Sequence, residues 1–554
     1  MSQSATVTVS RSITVAAGVF APGHLGELTQ YLPFELVDDV LEHTKTTQRR
    51  LRELPSRVGV YFLLALGMFP RLGYARVWTK LTAGLAGVVA VPTPSEKALR
   101  DLRRRLGPAP LKMLFGVVAG PLAQPRTPGV CYRGLRTVAF DGLNSLKVPD
   151  TRRNRAWLGR IHYRMGFAGY PTLRVMALVE TGTRALLGAA VGGADKRDEP
   201  TLAADLLGLL RPGMLVLLDR AFDSTPFLQQ LTQTGAQVLV RGKSTRKPLV
   251  LRHLPDGSYL SVLGGIKVRI IEADLVMTGT DGSRVADRYR LITTLTDHHR
   301  HPAGELTALY HERWEIETSF LALRHTILNG HVLRSGDRPG LEQELWALLT
   351  LYQLLRTAMV TAVETQPNID PDRASFTTAL ETARDQLTTA HNIHPSDPSD
   401  LLGVIGHTVL ATLLPPRRPR FSARKVKSPT SRYLNRDDGR PSHATTITTI
   451  DIAIHTPALT TSPPRTPTRT PRARTSHDRT TPRPATRRAR VLDLMNTNPH
   501  HSWNGTELAT QLNIPPHNLL TQLAEWARHG LLTKTSKGHY TPNPPPHSTT
   551  PPTT

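Results

Sequence analysis

The sequence predicts an α/β fold built on a mixed sheet, with a helical domain before it and a small, mostly helical domain after it. Three observations carry that expectation. Short apolar runs separated by turn residues recur between about 130 and 243. Apolar residues recur at helical spacing before 125 and again after 487. Between 245 and 296 helical spacing gives way to short segments divided by turns.

Residues 1–125 read as helical. Phe34, Leu36, Val37, Val40 and Leu41 share a helical stripe, the run VGVYFLLALGMF follows at 58–69, and Pro33 and Pro55 act as breaks. No polar constellation gathers there, and Arg49, Arg50, Arg52 and the Arg run 103–105 suit either phosphates or solvent. The 58–69 run is about half of a bilayer-spanning helix, and the first residues lack the charged and apolar regions of a secretory signal. A soluble, cytoplasmic chain with no membrane partner is expected. Its single cysteine, Cys131, excludes a disulfide framework and zinc fingers.

LRTVAFDG (135–142), LRVMALVETG (173–182), RALLGAAVGG (184–193), MLVLLDRAF (214–222) and AQVLVRGK (236–243) read as strands buried on both faces. LAADLLGLLRPG (202–213) is a helix between two of them. The stretch 245–296, with turns at Pro255-Asp256-Gly257 and Asp281-Gly282-Ser283, is a β-rich insertion. Helices follow from about 304 and at 343–363.

After Pro415 the composition changes. Residues 416–490 are rich in Pro, Thr, Ser and Arg and hold 18 Lys and Arg against 4 Asp and Glu, which is +14 of the chain's net +25. Such a stretch is expected to be disordered. The chain thus divides into a helical domain at 1–125, an α/β domain at 126–415, a basic linker at 416–486, a compact module at 487–541 and a tail at 542–554. The excess positive charge points to a polyanion, with nucleic acid the first candidate.

Asp141 and Asp219 each end an apolar strand, at the edge where α/β folds place their chemistry. A third carboxylate comes from a helix. At about 100° per residue, Tyr310, Arg313, Glu317 and Arg324 share an arc of about 60°. Leu309, Ile316, Phe320 and Leu323 flank this line on one side, and Trp314 and Leu321 on the other. His311, Glu312, Glu315, Thr318 and Ser319 lie opposite, on the face expected to meet water. Polar residues aligned in a buried face need partners or a ligand. Spacing alone leaves a structural Arg–Glu pair equally open.

Taken together, Asp141-Gly142, Val148-Pro149-Asp150-Thr151 with Asn154, Asp219-Arg220-Ala221-Phe222, and Tyr310, Arg313, Glu317 and Arg324 resemble the motifs of the DDE transposases of the insertion sequence four family. The resemblance spans about 15–430. It implies an RNase H-like catalytic domain with a β-rich insertion, and a helical DNA-binding domain before it. Asp141, Asp219 and Glu317 would be the catalytic metal ligands, with Tyr310, Arg313 and Arg324 facing DNA phosphates or bracing the carboxylate. The implied activity is cleavage at element ends and strand transfer into target DNA, with terminal inverted repeats and target DNA as partners and a homodimer joining two ends. Its cofactor would be two Mg²⁺ ions, replaceable by Mn²⁺: Asp141 would bridge them, and Asp219 and Glu317 would each complete one site. Two positions depart from the family pattern, since Ala221 stands for Gly and Arg324 for Lys. A regulator with an inert core and a structure-selective nuclease are the alternatives.

Arg241 and Lys243, after a strand near the insertion, suit DNA contact or a charged strand end. His298, His299 and His301 beside Asp297 lack metal-ligand spacing and read as a solvated loop. At the C-terminus, RRARVLDLMN, TELATQL and the stretch 517–529 read as three helices, and LLTKTSKGHYT as a two-stranded wing. This resembles a winged helix-turn-helix domain, with Asn518 on the recognition helix and Lys534 and Lys537 on the wing near DNA. A protein-contact module remains the other reading. A nucleoid location follows from DNA as partner.

Overall fold

In the computed structural model the described residues are 24–50, 54–83, 91–159, 162–163, 166–167, 169–193, 198–313, 322–389, 402–416, 419–421, 425–427, 433–435, 445–457, 487–514, 516–528, 531–536 and 538–543. They fall into two units, Met1–Pro463 and Pro464–Thr554.

The N-terminal helices are α1 (Phe34–His43), α2 (Ser56–Met68), α3 (Tyr74–Leu81), α4 (Glu96–Leu106) and α5 (Ala109–Val118). Ser95 caps α4 by accepting the Ala98 N–H at 3.2 Å, and Gly107 closes it at φ +64°, a conformation that glycine adopts at little cost. Helix α2 is buried along its whole length. A helix apolar on every side needs cover on every side, and the long α10 (Arg338–Glu364) supplies much of it. One continuous core joins α1–α5, α10 and one face of the sheet, so the boundary expected at 125 does not separate two cores. Helix α10 is long and apolar enough to cross a membrane, yet 89% of its most apolar window is buried.

Five strands form the centre of the sheet: β1 (Leu135–Lys147), β2 (Thr172–Glu180), β3 (Leu186–Gly193), β4 (Met214–Leu218) and β5 (Gln237–Arg241). Their spatial order is β3-β2-β1-β4-β5. Neighbouring strands β1, β2 and β3 run antiparallel, while β4 and β5 return parallel to β1. Helix α6 (Arg152–Leu158) follows β1. Helices α7 (Glu199–Ala204) and α8 (Thr225–Thr232) cover the face carrying Val138, Phe140, Val216 and Leu218. The opposite face, carrying Ala139, Leu215 and Leu217, meets α9 (Ala303–Glu312) and α10.

The β-rich insertion is present as β6 (Tyr259–Leu263), β7 (Ile266–Gly279) and β8 (Arg284–Thr293). Strand β8 pairs with β5, so the insertion extends the central sheet. Its outer edge differs from expectation. Within the segment expected to be disordered, β9 (Thr445–His455) pairs antiparallel with β7 from Glu272 to Gly279. The average composition of 416–490 hides its cause: TTITTIDIAIH is rich in β-branched residues, and Ile450, Ile452 and Ile454 alternate.

Helices α11 (Phe376–Thr389) and α12 (Gly403–Ala411) complete the helical side of the first unit. The second unit holds α13 (Arg487–Asn496), α14 (Gly505–Gln511), α15 (Pro516–Arg528) and the hairpin β10 (Leu532–Ser536) and β11 (His539–Pro542). Val491, Met495, Leu508, Leu519, Leu523 and Tyr540 form its core, and Asn504 caps α14 by accepting the Thr506 N–H at 2.8 Å.

Candidate active site

Strands β1 and β4 lie side by side and parallel, with Ala139 level with Leu217. Two residues further along each strand, the same register sets Asp141 level with Asp219. Side chains alternate faces along a strand, so Asp141 follows Ala139 and Asp219 follows Leu217 onto the α9 side. The backbone at Asp219 is still extended (φ −81°, ψ −179°), which keeps the alternation intact to that residue. Neighbouring strands are about 4.8 Å apart. Two carboxylates therefore project from adjacent positions on one face.

Local bonds orient both. Asp141 Oδ1 accepts the Gly142 N–H at 2.9 Å, and Asp219 Oδ1 accepts the Ala221 N–H at 2.7 Å at the start of a tight turn. The backbone at Ala221 does not take positive φ, so alanine fits where the family pattern has glycine. A Cβ at position 142 would meet Glu199 Oε1 at 3.0 Å, which favours the glycine beside Asp141. Carboxylates at adjacent positions on one face suit a hard divalent cation. Among the described residues no group of three His, Cys, Asp or Glu side chains is placed to hold a metal. A complete site needs a further ligand, and Glu317 lies outside the described residues.

Helix α9 precedes Glu317 in the sequence and is tied to the strand that runs up to Asp219. The Tyr310 hydroxyl donates to the Leu218 carbonyl at 3.0 Å, one residue before Asp219. Tyr310 is 1% exposed, and burial pushes its pKa up, with Arg313 opposing. It is a brace rather than a phosphate contact. Arg313 is also buried, with its guanidinium 5.9 Å from the Tyr310 ring centroid. Arg324 is half-buried in a turn of π-helix at Ala322–Ile327. The expectation that His311 meets water fails. It is 2% exposed, and its Nδ1 lies 3.1 Å from the Tyr289 hydroxyl, because β8 covers that side of α9.

The two basic residues near the insertion part ways. Arg241 pairs with Asp287 at 2.8 Å and stacks on Tyr289 at 4.3 Å. It is a strand-end ion pair, not an open cation. Lys243 is exposed, and its backbone N–H donates to Asp223 at 2.7 Å, four residues after Asp219. Within the run 103–105 only Arg104 is exposed, since Arg103 bonds Gln343 and Ser335 and pairs with Glu344. His301 is buried against Tyr132 rather than solvated. Lys534 is exposed on β10, Asn518 lies on α15, and Lys537 falls outside the described residues.

A clamp between the motif after β1 and the loop before α10 escaped the sequence reading. The Asn154 amide donates to the carbonyls of Pro149 and Ser335 at 3.0 and 3.1 Å, and Thr151 donates to Gly336 at 2.7 Å. Glu344 accepts the Arg334 N–H on the same loop at 2.9 Å. The motif itself pointed to Thr151 and Asn154, but the loop they grip is more than 180 residues away in sequence.

The family described as "Transposase DDE domain" matches residues 135–354, and "Insertion element 4 transposase N-terminal" matches residues 22–116. The transposase InsG for insertion sequence element IS4 of Escherichia coli (strain K12) is 27% identical over 425 residues, covering 74% of this chain and 93% of that protein. The putative transposase InsZ of the same organism is 25% identical over 207 residues, covering 37% of this chain and 67% of its own. A cryo-EM structure of the piggyBac transposase synaptic complex with hairpin DNA aligns at a TM-score of 0.37 and 11% identity, over 76% of this chain and 89% of that one. The matched domains and the InsG relative define a DNA transposase of the DDE class. Within that class, the chain belongs to the insertion element 4 family.

Proposed function

We propose that Asp141, Asp219 and Glu317 are the catalytic carboxylates, on an RNase H-like core, for cleavage at element ends and joining to target DNA. The carrying observation is the register of Ala139 with Leu217 on adjacent parallel strands, which, carried two residues on, sets Asp141 level with Asp219 on the face that meets α9. The strand order β3-β2-β1-β4-β5, with two parallel strands beside an antiparallel set, supports the RNase H-like reading.

Two divalent ions, Mg²⁺ or Mn²⁺, would activate the attacking water or 3′-hydroxyl and stabilise the leaving oxygen. The chain's own part is to hold its oxygens in place. Asp141 on β1, Asp219 after β4 and Glu317 would hold the ions. Arg313 and Arg324 supply charge toward the scissile phosphate, and Lys243 toward the flanking backbone. The helical region 22–116 matches the family's N-terminal domain and would bind the element's terminal repeats. Two copies acting on two ends, at the bacterial nucleoid, complete the reading.

The second unit fits a winged helix-turn-helix: α13, α14, a short turn, α15 and a hairpin. Asn518 on α15 and Lys534 and Lys537 on the hairpin would face DNA.

The test is a cleavage and joining assay on DNA carrying the element's ends, with Mg²⁺ or with chelator. Wild type is expected to cut and join only with metal, while Asp141→Ala and Glu317→Gln bind the ends and do neither. Joining without metal, or by either variant at the wild-type rate, refutes the carboxylate assignment. Cutting without joining would favour a nuclease.

A further inference from the structure

The strand end that bears Asp219 is bonded by Tyr310 of α9, so its setting depends on where α9 lies. The insertion sheet grips α9 in three places. At its start, Asp256 Oδ2 accepts the Ala303 N–H at 3.0 Å, and the fully buried Arg269 holds both Asp256 and the His301 carbonyl. Along one flank, the Tyr289 ring meets that of Tyr310 edge-on at 5.5 Å, and its hydroxyl meets His311. The third grip comes from β9, far downstream in the chain.

Register shows how β9 takes part. Tyr289 on β8, Ala273 on β7 and Ile454 on β9 stand in one row, and Leu275 and Ile452 share the next row on the same face. The small Ala273 between Tyr289 and Ile454 leaves a trough. Ala303, Leu306 and Tyr310 belong to the same core as Ala273, Leu275 and Tyr289, with Ile452 and Ile454 packed against it, and α9 touches β9 directly. Strand β9 is pinned at both ends. Thr445 donates to Asp281 at 3.2 Å, His455 Nε2 lies 2.5 Å from Asp274, and Thr456 donates to the Gly257 carbonyl at 3.2 Å. Gly257 adjoins Asp256, so one turn holds both the end of β9 and the start of α9.

We propose that β9 is a positioning element for catalysis: Ile452 and Ile454 complete the trough that seats α9, and therefore Tyr310 against the strand end that carries Asp219. This rests on the assignment of Asp219 as a catalytic carboxylate. The matched DDE domain ends at residue 354, so the active site would depend on a strand about 90 residues beyond it. It also gives the insertion a role separate from touching DNA, since its sheet is the bed of the catalytic helix. Packing fixes a helix only while both walls of its groove are filled. Shortening the β9 wall frees α9 to shift, and a misplacement of about 1 Å at a reacting centre costs on the order of 100-fold in rate.

The experiment compares full-length wild type with Ile452→Thr/Ile454→Thr, the milder Ile454→Val, and Ala453→Thr on the opposite, exposed face of β9. Three quantities are read: end-DNA binding without catalytic metal, cleavage against Mg²⁺ concentration, and hydrogen exchange of the amides of Ala303–Glu312. The double variant should bind ends within twofold of wild type, cleave at least tenfold more slowly, need several-fold more Mg²⁺ and exchange faster along α9. Ile454→Val should move the same quantities in the same direction by less, and Ala453→Thr should move none. Unchanged exchange along α9 in Ile454→Val and the double variant overturns the proposal. So does loss of end binding in step with loss of cleavage in Ile454→Val, which marks general destabilisation. Asp219→Ala separates the two claims: if it still cleaves, the Asp219 assignment falls, while exchange along α9 still decides whether β9 positions the helix.

Discussion

At the scale of residues, the site depends on two aspartates reaching the same level from strands that are more than 70 residues apart in sequence. Each could be found in the sequence as a carboxylate closing an apolar strand. Their juxtaposition could not, because register is set by pairing between strands and leaves no mark on either strand alone. Tyr310 shows the converse. Helical phase put it on the buried line with Arg313, but only the packed structure gives its partner, the Leu218 carbonyl. Tyr310→Phe keeps the ring and removes that bond, leaving a buried carbonyl without its donor. The expected cost is about 1–2 kcal/mol in denaturant unfolding. Cleavage should slow several-fold as the strand end bearing Asp219 loosens, while end binding is retained.

Among elements, the strands β1–β5 and the helix α10 were legible because a buried strand or helix announces itself as an apolar run of characteristic length. Strand β9 was not, because the basic, proline-rich composition around it masks an eleven-residue β-branched segment. His311 was misread for a related reason. Helical phase predicts one wet face, but α9 is covered on that side by a strand whose position depends on the insertion. The insertion's grip on α9 has an energetic signature. Arg269 is fully buried and pairs with Asp256, and removing one partner of such a pair strands the other. Arg269→Ala is therefore expected to destabilise the first unit by about 3 kcal/mol in urea unfolding, with the start of α9 the first region to lose exchange protection. An unchanged midpoint would show that Asp256 finds water instead.

For the whole molecule, charge and chemistry are separated. Of the net +25, +14 lies in residues 416–490, outside the matched DDE domain at 135–354, while most of the Arg residues named near the site are engaged within the protein. Non-specific DNA affinity should follow the basic segment and catalysis the carboxylate site. Changing Arg465, Arg469, Arg472, Arg474, Arg479 and Arg483 to Gln should weaken binding to random DNA and flatten its dependence on salt, by about one unit of slope for each phosphate no longer neutralised. Cleavage of saturating end DNA should be unaffected. The central claim is that Asp219, level with Asp141, is part of the catalytic metal site. It is tested most directly by the Mg²⁺-dependent cleavage rate of pre-bound end DNA in wild type and Asp219→Ala, with end binding measured on the same preparations. Binding within about twofold and a cleavage rate lower by about 10³ or more are predicted; cleavage by Asp219→Ala within tenfold of wild type would contradict it.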